Sequence, residues 1–450
     1  MAEPNELWVW MNGERVGSWQ RTRTGTHRFV YAASWLASPR TRPLSLSIAV
    51  TPDLTVTGPE VGAYFDNLLP DAEHIRRRVA TRFRTGSIEA FELLQAIGRD
   101  CVGAVQLLPP ETEPEGWDRI AFEPMNDADI ERHLRQAVSE PGIGRTETDD
   151  DRALRISIAG AQEKTALTQV DGQWGRPLGA TPTTHILKLP LGQVGGRRLD
   201  LSHSVQNEWL CAQLLRALGL PVANTEMARF GDQLTLVVER FDRAWSNRPD
   251  GQRWITRLPQ EDFCQALGVA PHLKYEADGG PGIAAGQRLL MGGQAPQADI
   301  PAFLCAQLAF WLLAATDGHA KNFSVFLLPG GGYRMTPLYD VISVWPVVGN
   351  GPNHVRRKEA RLAMGVHSRN KHYRIADIHA RHWRARAERA GVPGVWQAMC
   401  ALVDRVDAAI ATVEASLDSG FPARTAQAIF EGMRAQAKAW RTNETAPGAG

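Results

Sequence analysis

The chain contains 450 residues, of which 43% are hydrophobic and 22% charged, and its formal net charge is +1. These values are typical of a globular protein with room for two or three domains, and they exclude an overall basic field that would indicate nucleic acid as the main ligand. Scattered cysteines, the lack of a visible secretory signal and a longest apolar run of only 302–316 predict a cytoplasmic protein without a membrane span.

The first 108 residues are predicted to form a β-rich subdomain with helices near its end. Residues 7–11 and 15–19 flank the pair Asn12 and Gly13, and this arrangement is a strong signature of a β-hairpin. Two further strands are predicted at 29–31 and 44–50.

Prolines and acidic residues at 109–118 indicate a domain boundary. We predict that 109–153 is a linker and that it contains a helix at about 127–137.

Residues 154–243 are predicted to form strands and one helix, in an order that resembles the small lobe of a protein kinase. The strands are predicted at 154–158, 164–169, 184–189, 225–230 and 234–241, and the helix at about 204–218.

The region 244–424 is predicted to be mostly helical, and 425–450 to be a terminal helix and a tail that is disordered after about 440. The clearest helical stretches lie at 262–267, 301–316, 374–389 and 394–417. The predicted fold class is therefore α+β, with a β-rich N-terminal subdomain, a kinase-like small lobe and a helical C-terminal lobe.

Two acids and an amide in this helical region point to phosphoryl transfer. Asp317 precedes Asn322 by five positions, and a predicted hairpin at 323–338 would bring Asn322 and Asp340 to one end. In protein kinases this spacing holds a base that accepts the proton of the attacking hydroxyl and an amide that binds magnesium. Here Asp340 would supply a further oxygen for Mg²⁺. Taken alone, the spacing is also typical of turn formers and caps.

Lys188 is the candidate cation for the phosphates of a nucleotide, because it lies in a predicted strand upstream of this loop. The alternative is a lysine that protects a sheet edge from pairing. Glu208, in the helix that follows, either holds Lys188 or stabilises the dipole of its own helix.

Two further segments complete the candidate nucleotide site. The strand that ends at Glu239, Arg240 and Phe241 is either a hinge that meets an adenine edge or a plain strand end. Residues 156–164 contain Gly160 and other small residues, which suit a phosphate-covering loop but are explained equally well by an ordinary turn. Ser157, in that segment, is a candidate phosphorylation site.

With these pieces in order, the sequence resembles the HipA family, the serine/threonine kinase toxins of type II toxin-antitoxin systems. The resemblance runs from about residue 7 to about residue 420, and it rests on 65–71, 98–105, 156–167, 183–190, 238–243, 257–262, 274–282, 315–324 and 339–340.

The resemblance implies a bilobal kinase-like fold with Asp317 as the catalytic base and with Asn322 and Asp340 as magnesium ligands. It implies autophosphorylation on Ser157, which would shut the enzyme off. It also implies an ATP site formed by Ala159, Gly160, Ala161, Gln162, Glu163, Lys164, Lys188, Glu239, Arg240, Phe241, Gln260, His319, Ala320, Lys321, Asn322, Tyr339 and Asp340.

The family further implies a protein substrate, typically an aminoacyl-tRNA synthetase such as the glutamyl enzyme, whose modification causes growth arrest. The implied partner is a small HipB-like helix-turn-helix antitoxin that binds operator DNA. The stretch 380–389 corresponds to the family's DNA-contacting helix but distributes its charges differently, so a solvated helix face is the alternative there.

Two other functions compete with a kinase toxin. One is a largely non-catalytic co-repressor that acts with the antitoxin, although Lys188, Asp317, Asn322 and Asp340 are all present. The other is a small-molecule phosphotransferase that shares the Asp317 to Asn322 spacing, although the Ser157 loop and the β-rich N-terminal module favour HipA.

Overall fold

The computed structural model describes residues 5–138 and 162–444. Its strands, in chain order, are β1 (Glu6–Met11), β2 (Glu14–Arg21), β3 (His27–Tyr31), β4 (Thr55–Thr57), β5 (Val105–Leu108), β6 (Phe122–Pro124), β7 (Lys164–Val170), β8 (Gln173–Pro177), β9 (His185–Lys188), β10 (Gly192–Val194), β11 (Leu199–Leu201), β12 (Thr225–Phe230), β13 (Gln233–Glu239), β14 (Arg243–Asn247), β15 (Arg253–Arg257), β16 (Gln260–Asp262), β17 (Ser324–Leu327), β18 (Tyr333–Met335), β19 (Arg361–His367) and β20 (Lys371–Arg374).

Helices alternate with these strands in the first part of the chain and dominate its last part. They are α1 (Ala33–Leu36), α2 (Pro59–Asp66), α3 (Glu73–Phe83), α4 (Ala90–Ile97), α5 (Asp127–Val138), α6 (Ser204–Ala217), α7 (Phe263–Ala266), α8 (Ile283–Met291), α9 (Pro296–Leu313), α10 (Ala380–Glu388), α11 (Val395–Asp404), α12 (Val406–Glu414) and α13 (Ala423–Glu444).

The chain divides into two compact units. The first comprises Met1–Leu189, Ala228–His272 and Val325–Tyr333, and the second comprises Pro190–Met227, Leu273–Ser324 and Arg334–Gly450. The finer domain boundaries given above stay predictions.

The predicted N-terminal hairpin is confirmed in the first unit. Asn12 and Gly13 have φ values of 46° and 81°, the left-handed conformation that a two-residue turn between twisted strands requires. The sheet around it has the order β4-β3-β2-β1-β5. On its core side, the ring of Trp19 stacks on that of Phe65 with centroids 4.0 Å apart.

The strand predicted at 44–50 is wrong. Only an isolated bridge between Ser45 and Ile48 forms there. The hydroxyl of Ser47 donates to the carbonyl of Gln265 at 2.7 Å, and the N–H of Leu46 donates to the carboxylate of Glu261 at 2.9 Å. The segment therefore satisfies its polar groups by side-chain contacts instead of by a neighbouring strand.

A second sheet of the first unit has the order β12-β13-β9-β7-β8-β6. The strands predicted at 164–169, 184–189, 225–230 and 234–241 are confirmed, and so is the helix at 127–137. Leu167, Leu187 and Val237 on the sheet pack with Ile130 and Leu134 of α5. The strand predicted at 154–158 lies outside the described residues.

The second unit is built around α9, which is buried along most of its length. The helix begins five residues before the predicted start at 301, because Pro296 occupies its first turn and Pro301 is accommodated inside it. It ends at Leu313, since Ala314 takes a left-handed φ of 49° and its N–H donates to carbonyls of the last turn. This sharp end leads directly to Asp317.

Three predicted elements of the second unit need correction. Residues predicted as one helix at 374–389 begin with the end of β20 and a short 3-10 turn, Ile375–Asp377, before α10 starts. The helix predicted at 394–417 is divided at Arg405 into α11 and α12. Helix α13 extends through 444, beyond the point where disorder was predicted, and 445–450 lie outside the described residues. Across 5–138 and 162–444, none of the helices combines the length and the apolar character that crossing a membrane requires.

Candidate active site

The loop that follows α9 closes on itself between Asp317 and Asn322. The side-chain amide of Asn322 donates to the carbonyl oxygen of Asp317 at 2.7 Å, and its backbone N–H donates to the carbonyl of His319 at 2.9 Å. Asn322 is 4% exposed, whereas the carboxylate of Asp317 is 63% exposed. Asn322 is thus a turn former, but its amide nitrogen is used for the turn and its oxygen is left as the atom that would meet a cation.

The hairpin of β17 and β18 ties this loop to the segment that carries Asp340. The N–H of Thr336 donates to the carbonyl of Ser324 at 3.0 Å. The hydroxyl of Tyr339 donates to the carbonyl of Lys321 at 2.9 Å and lies 2.6 Å from the hydroxyl of Ser324. Because Asp340 follows Tyr339 directly, it lies at the same end of the hairpin as Asn322.

Asp340 adopts a left-handed backbone conformation with a φ of 60°. Outside glycine this conformation is uncommon and costs energy, and it is often found at functional sites. The backbone is therefore held here by its surroundings in a conformation that the residue itself does not favour.

The oxygens of Asn322 and Asp340 suit Mg²⁺ better than they suit a metal ion whose ligands all come from the protein. No cluster of three or more His, Cys, Asp or Glu side chains that could hold a metal ion occurs in the described part of the chain. Mg²⁺ is usually bound by one or two carboxylates together with phosphate oxygens and water. The donor set fits that mode.

Tyr275 is a neighbour of Asp317 that sequence reasoning missed as a site residue. Its hydroxyl donates to Oδ1 of Asp317. Its ring also meets the buried ring of His319 edge-on, with centroids 5.0 Å apart. The two hydrogen-bonded residues are 42 positions apart in the chain, so no local spacing reveals the contact.

Glu208, also in the second unit, is 4% exposed and lies in α6. The helix begins at Ser204 and has no acid in its first turn, so the proposal that Glu208 stabilises the dipole of its own helix is wrong. Its pairing with Lys188 stays a prediction.

In the first unit, Lys188 lies in the middle of a sheet. Strand β9 is hydrogen-bonded to β13 on one side and to β7 on the other, with Lys188 opposite Leu236 and Lys164. The alternative of an edge lysine is therefore wrong. Lys188 is also 5% exposed, which is rare for a lysine unless a charged partner or ligand requires it.

Lys164 and Lys188 are directly opposite each other on antiparallel strands, so their side chains leave the same face of the sheet. Two ammonium groups on one face of a sheet suit an anionic ligand, and the pair therefore fits the phosphates of a nucleotide.

The segment before β7 is only partly described. The side-chain amide of Gln162 donates to the carbonyl of Leu189 at 2.7 Å. Glu163 forms a salt bridge with Arg78, so its carboxylate already has a cationic partner. The remaining predicted residues of the phosphate loop, Ser157, Ala159, Gly160 and Ala161, lie outside the described residues.

The predicted hinge divides into an exposed and a buried part. Glu239 is exposed at the end of β13, and the ring of Phe241 meets that of Phe326 edge-on at 5.8 Å. The N–H of Arg240 donates to the carbonyl of Thr184 at 2.9 Å, but its guanidinium is fully engaged inside the protein. Arg240 therefore offers a nucleotide neither its N–H nor its guanidinium.

The guanidinium of Arg240 belongs to a buried charge network, which we define as Asp100, Arg240, Asp242, Arg243 and Arg257. Arg240 binds Asp242 with two hydrogen bonds of 2.9 Å each. Arg243 and Arg257 reach Asp100 at 3.1 and 3.0 Å. Burial alone would raise the pKa of Asp100, but the three guanidinium groups hold it below its usual value.

Gln260, predicted to line the ATP site, contacts this network. Its amide nitrogen donates to Oδ2 of Asp242 at 3.1 Å, and the side chain is 8% exposed. The backbone N–H of Gly103 donates to the same oxygen at 2.7 Å. The network thus joins the segments at 98–105 and 238–243, which the sequence presented only as separate motifs.

The fold and these residues define a protein of the kinase-like class, with a strand lysine, a closed Asp–Asn loop and a second acid after a hairpin. Residues 7–108 match the family model for the HipA N-terminal domain, and residues 156–439 match that for the HipA-like C-terminal domain. The chain therefore belongs to the HipA family, and the predicted α+β fold is confirmed.

Three comparisons illustrate the relationship. "Putative kinase Y4mE" of Sinorhizobium fredii is 34% identical over 411 residues, which cover 90% of this chain and 91% of the relative. The "Serine/threonine-protein kinase toxin HipA" of Shewanella oneidensis is 30% identical over 320 residues, 67% of each chain. A solved structure of Shewanella oneidensis HipA with HipB and operator DNA has a TM-score of 0.76 and 25% identity, and covers 97% of each chain.

Proposed function

We propose that this protein is an ATP- and Mg²⁺-dependent serine/threonine protein kinase that acts as a toxin. The observation that carries the proposal is the closed loop in which Asn322 binds the carbonyl of Asp317 while Tyr339 fastens the Asp340 segment to Lys321. A base, an amide oxygen and a carboxylate at one end of a hairpin are the parts that phosphoryl transfer requires. A relative named as a kinase toxin supports the same activity.

Asp317 would take the proton from the hydroxyl of the acceptor protein, and its exposure suits a macromolecular substrate. Asn322 and Asp340 would hold Mg²⁺ through their oxygens. When bound, ATP with Mg²⁺ supplies the phosphoryl group that is transferred.

The other nucleotide contacts are proposals as well. Lys188 and Lys164 would neutralise phosphate charge, and the hinge formed by Glu239, Arg240 and Phe241 would meet the base. The remaining predicted contacts are Ala159, Gly160, Ala161, Gln162, Glu163, Gln260, His319, Ala320, Lys321 and Tyr339.

We further propose that the enzyme modifies itself on Ser157 and is inhibited by that event. A phosphoserine adds nearly two negative charges, which would repel the phosphates of ATP if the segment covers them. The site is proposed from the family resemblance and from the neighbouring residues of β7.

For partners, we propose a HipB-like helix-turn-helix antitoxin and, through it, operator DNA. This rests on a relative whose solved complex contains HipB and operator DNA. We assign no direct DNA contact to α10, in which Arg386 is 6% exposed whereas Arg381 and Arg384 are exposed. The proposed substrate is an aminoacyl-tRNA synthetase such as the glutamyl enzyme, whose modification in the cytoplasm would arrest growth.

The test is mass spectrometry of the purified chain after incubation with ATP and Mg²⁺. We expect phosphate on Ser157 in the parent and in Asp404→Ala, which alters an exposed acid of α11, and none in Asp317→Ala. A parent that binds nucleotide but gains no phosphate would instead support the co-repressor. Equal phosphate in the parent and in Asp317→Ala would remove Asp317 from its role.

A further inference from the structure

The segment that carries Tyr275 is fastened to the catalytic loop at two consecutive residues. The carbonyl of Lys274 accepts a hydrogen bond from the N–H of Ala320 at 3.3 Å. Tyr275 donates its hydroxyl hydrogen to Oδ1 of Asp317 and packs its ring against His319. The segment thus touches the loop by main chain, ring and hydroxyl.

Glu276 anchors the other side of the same segment. Its carboxylate lies 3.0 Å from Nζ of Lys371 and 3.3 Å from Nε2 of His367, and it accepts the N–H of Gly365 at 2.6 Å. The side chain of Glu276 is only 9% exposed. Because Glu276 directly follows Tyr275, it fixes the main chain of Tyr275 to the hairpin of β19 and β20.

A tight turn completes the support. Gly279 has a φ of 96°, and a Cβ added at Gly280 would lie 1.7 Å from the carbonyl oxygen of Leu273. The turn therefore requires glycine at 280, and it returns the chain across the residues just before Tyr275. The motif at 274–282 is thus a rigid support for one side chain.

We propose that Tyr275 is a positioning residue for the catalytic carboxylate of Asp317. This inference rests on the proposed kinase function. The side chain of Asp317 is 63% exposed, and a directed O–H donor on Oδ1 restricts the rotation of its carboxylate. A carboxylate has about four acceptor sites, so a donor on one oxygen leaves acceptor capacity for the hydroxyl of a protein substrate.

The second neighbour of Asp317 acts in the same direction. Nε2 of His319 lies 4.0 Å from the Oδ1 that accepts the hydrogen bond of Tyr275. The imidazole is 4% exposed, and its ring supports the ring of Tyr275 from the edge. Both groups therefore approach the same carboxylate oxygen and define its orientation.

The decisive variant is Tyr275→Phe, which keeps the ring contact with His319 and removes only the hydroxyl. We expect kcat for phosphorylation of an acceptor protein to fall about tenfold or more, with KM for ATP and thermal stability unchanged. The full-length chain is assayed with ATP and Mg²⁺, using its own phosphorylation or a generic protein acceptor as the readout.

The matched control is Tyr31→Phe. The hydroxyl of Tyr31 donates to the carbonyl of Ile48 in the first unit, so this variant removes a tyrosine hydroxyl and leaves Tyr275 and its Glu276 anchor untouched. We expect its kcat to equal that of the parent. If both variants lose activity equally, or if KM for ATP rises in Tyr275→Phe, the role of Tyr275 is structural and the inference is wrong.

Asp317→Asn in the same assay separates this inference from the proposed function. An active parent with an inactive Asp317→Asn and a fully active Tyr275→Phe would overturn only the positioning role. A parent without activity, or an Asp317→Asn variant with full activity, would overturn both.

Discussion

The buried charge network of the first unit and the catalytic loop of the second both rely on aspartates, but they use them in opposite ways. Asp100 and Asp242 are 6% and 2% exposed, and each is bound by guanidinium groups and main-chain N–H donors. Asp317 is 63% exposed, and Asp340 takes a left-handed backbone. The buried aspartates have charged partners and serve the fold, whereas the exposed Asp317 and the strained Asp340 are the candidates for catalysis.

The difference also separates two kinds of motif. The residues at 98–105 and 238–243 contribute to the resemblance to the family together with those at 315–324, yet their polar side chains face one another inside the first unit. Arg240 is the clearest case. Its position in the sequence suggests a nucleotide contact, but its guanidinium binds the buried Asp242.

The largest effect should come from breaking the network. Removing one acid leaves buried guanidinium groups without compensation, so we expect Asp100→Ala to lower the free energy of unfolding by about 3–5 kcal/mol. Urea unfolding followed by circular dichroism measures this. Asp250→Ala, at an exposed turn, and Asp317→Ala should each change the unfolding free energy by less than about 1 kcal/mol. Equal losses in Asp100→Ala and Asp317→Ala would abolish the contrast between the two regions.

A smaller effect is expected from a buried acid that has no guanidinium partner within 5–138 and 162–444. Glu261 is fully buried and accepts the N–H of Leu46, and burial raises its pKa to about 8. A carboxyl whose pKa is higher in the folded state binds an extra proton there, so stability is present at low pH and falls as pH rises from the ordinary value of 4.5 towards 8.

We therefore expect the parent to lose about 2 kcal/mol more unfolding free energy than Glu261→Gln between pH 6 and pH 8, since each pH unit in this window costs at most ~1.4 kcal/mol per titrating group. The variant loses less because an amide does not titrate. Urea unfolding of both proteins at the two pH values checks this. An identical pH dependence in the variant would show that Glu261 is ionised without cost, as Asp100 is.

Local patterns predicted much of the fold, and long-range contacts account for what was missed. The Asn12–Gly13 turn and the strand at Lys188 follow from neighbouring residues. The contact of Tyr275 with Asp317 and that of Asp100 with Arg257, 157 positions apart, depend on how distant segments meet. The false strand at 44–50 has the same origin, since its alternation is real but Glu261 takes the N–H of Leu46.

The smallest effect on stability should accompany a complete loss of activity. Asp340→Gly removes the proposed magnesium ligand and places at a φ of 60° the one residue that adopts it without strain. Relief of strain offsets the lost side-chain contacts and the greater freedom of the unfolded chain, so we expect the unfolding free energy to stay within about 1 kcal/mol of the parent.

Asp404→Gly, at the end of α11, has no strain to relieve and should lose up to about 1 kcal/mol while it keeps full activity. Phosphate incorporation and urea unfolding of both variants measure the two quantities. A strongly destabilised Asp340→Gly would mean that Asp340 stabilises the fold as Asp100 does, and that the left-handed backbone is not a mark of function.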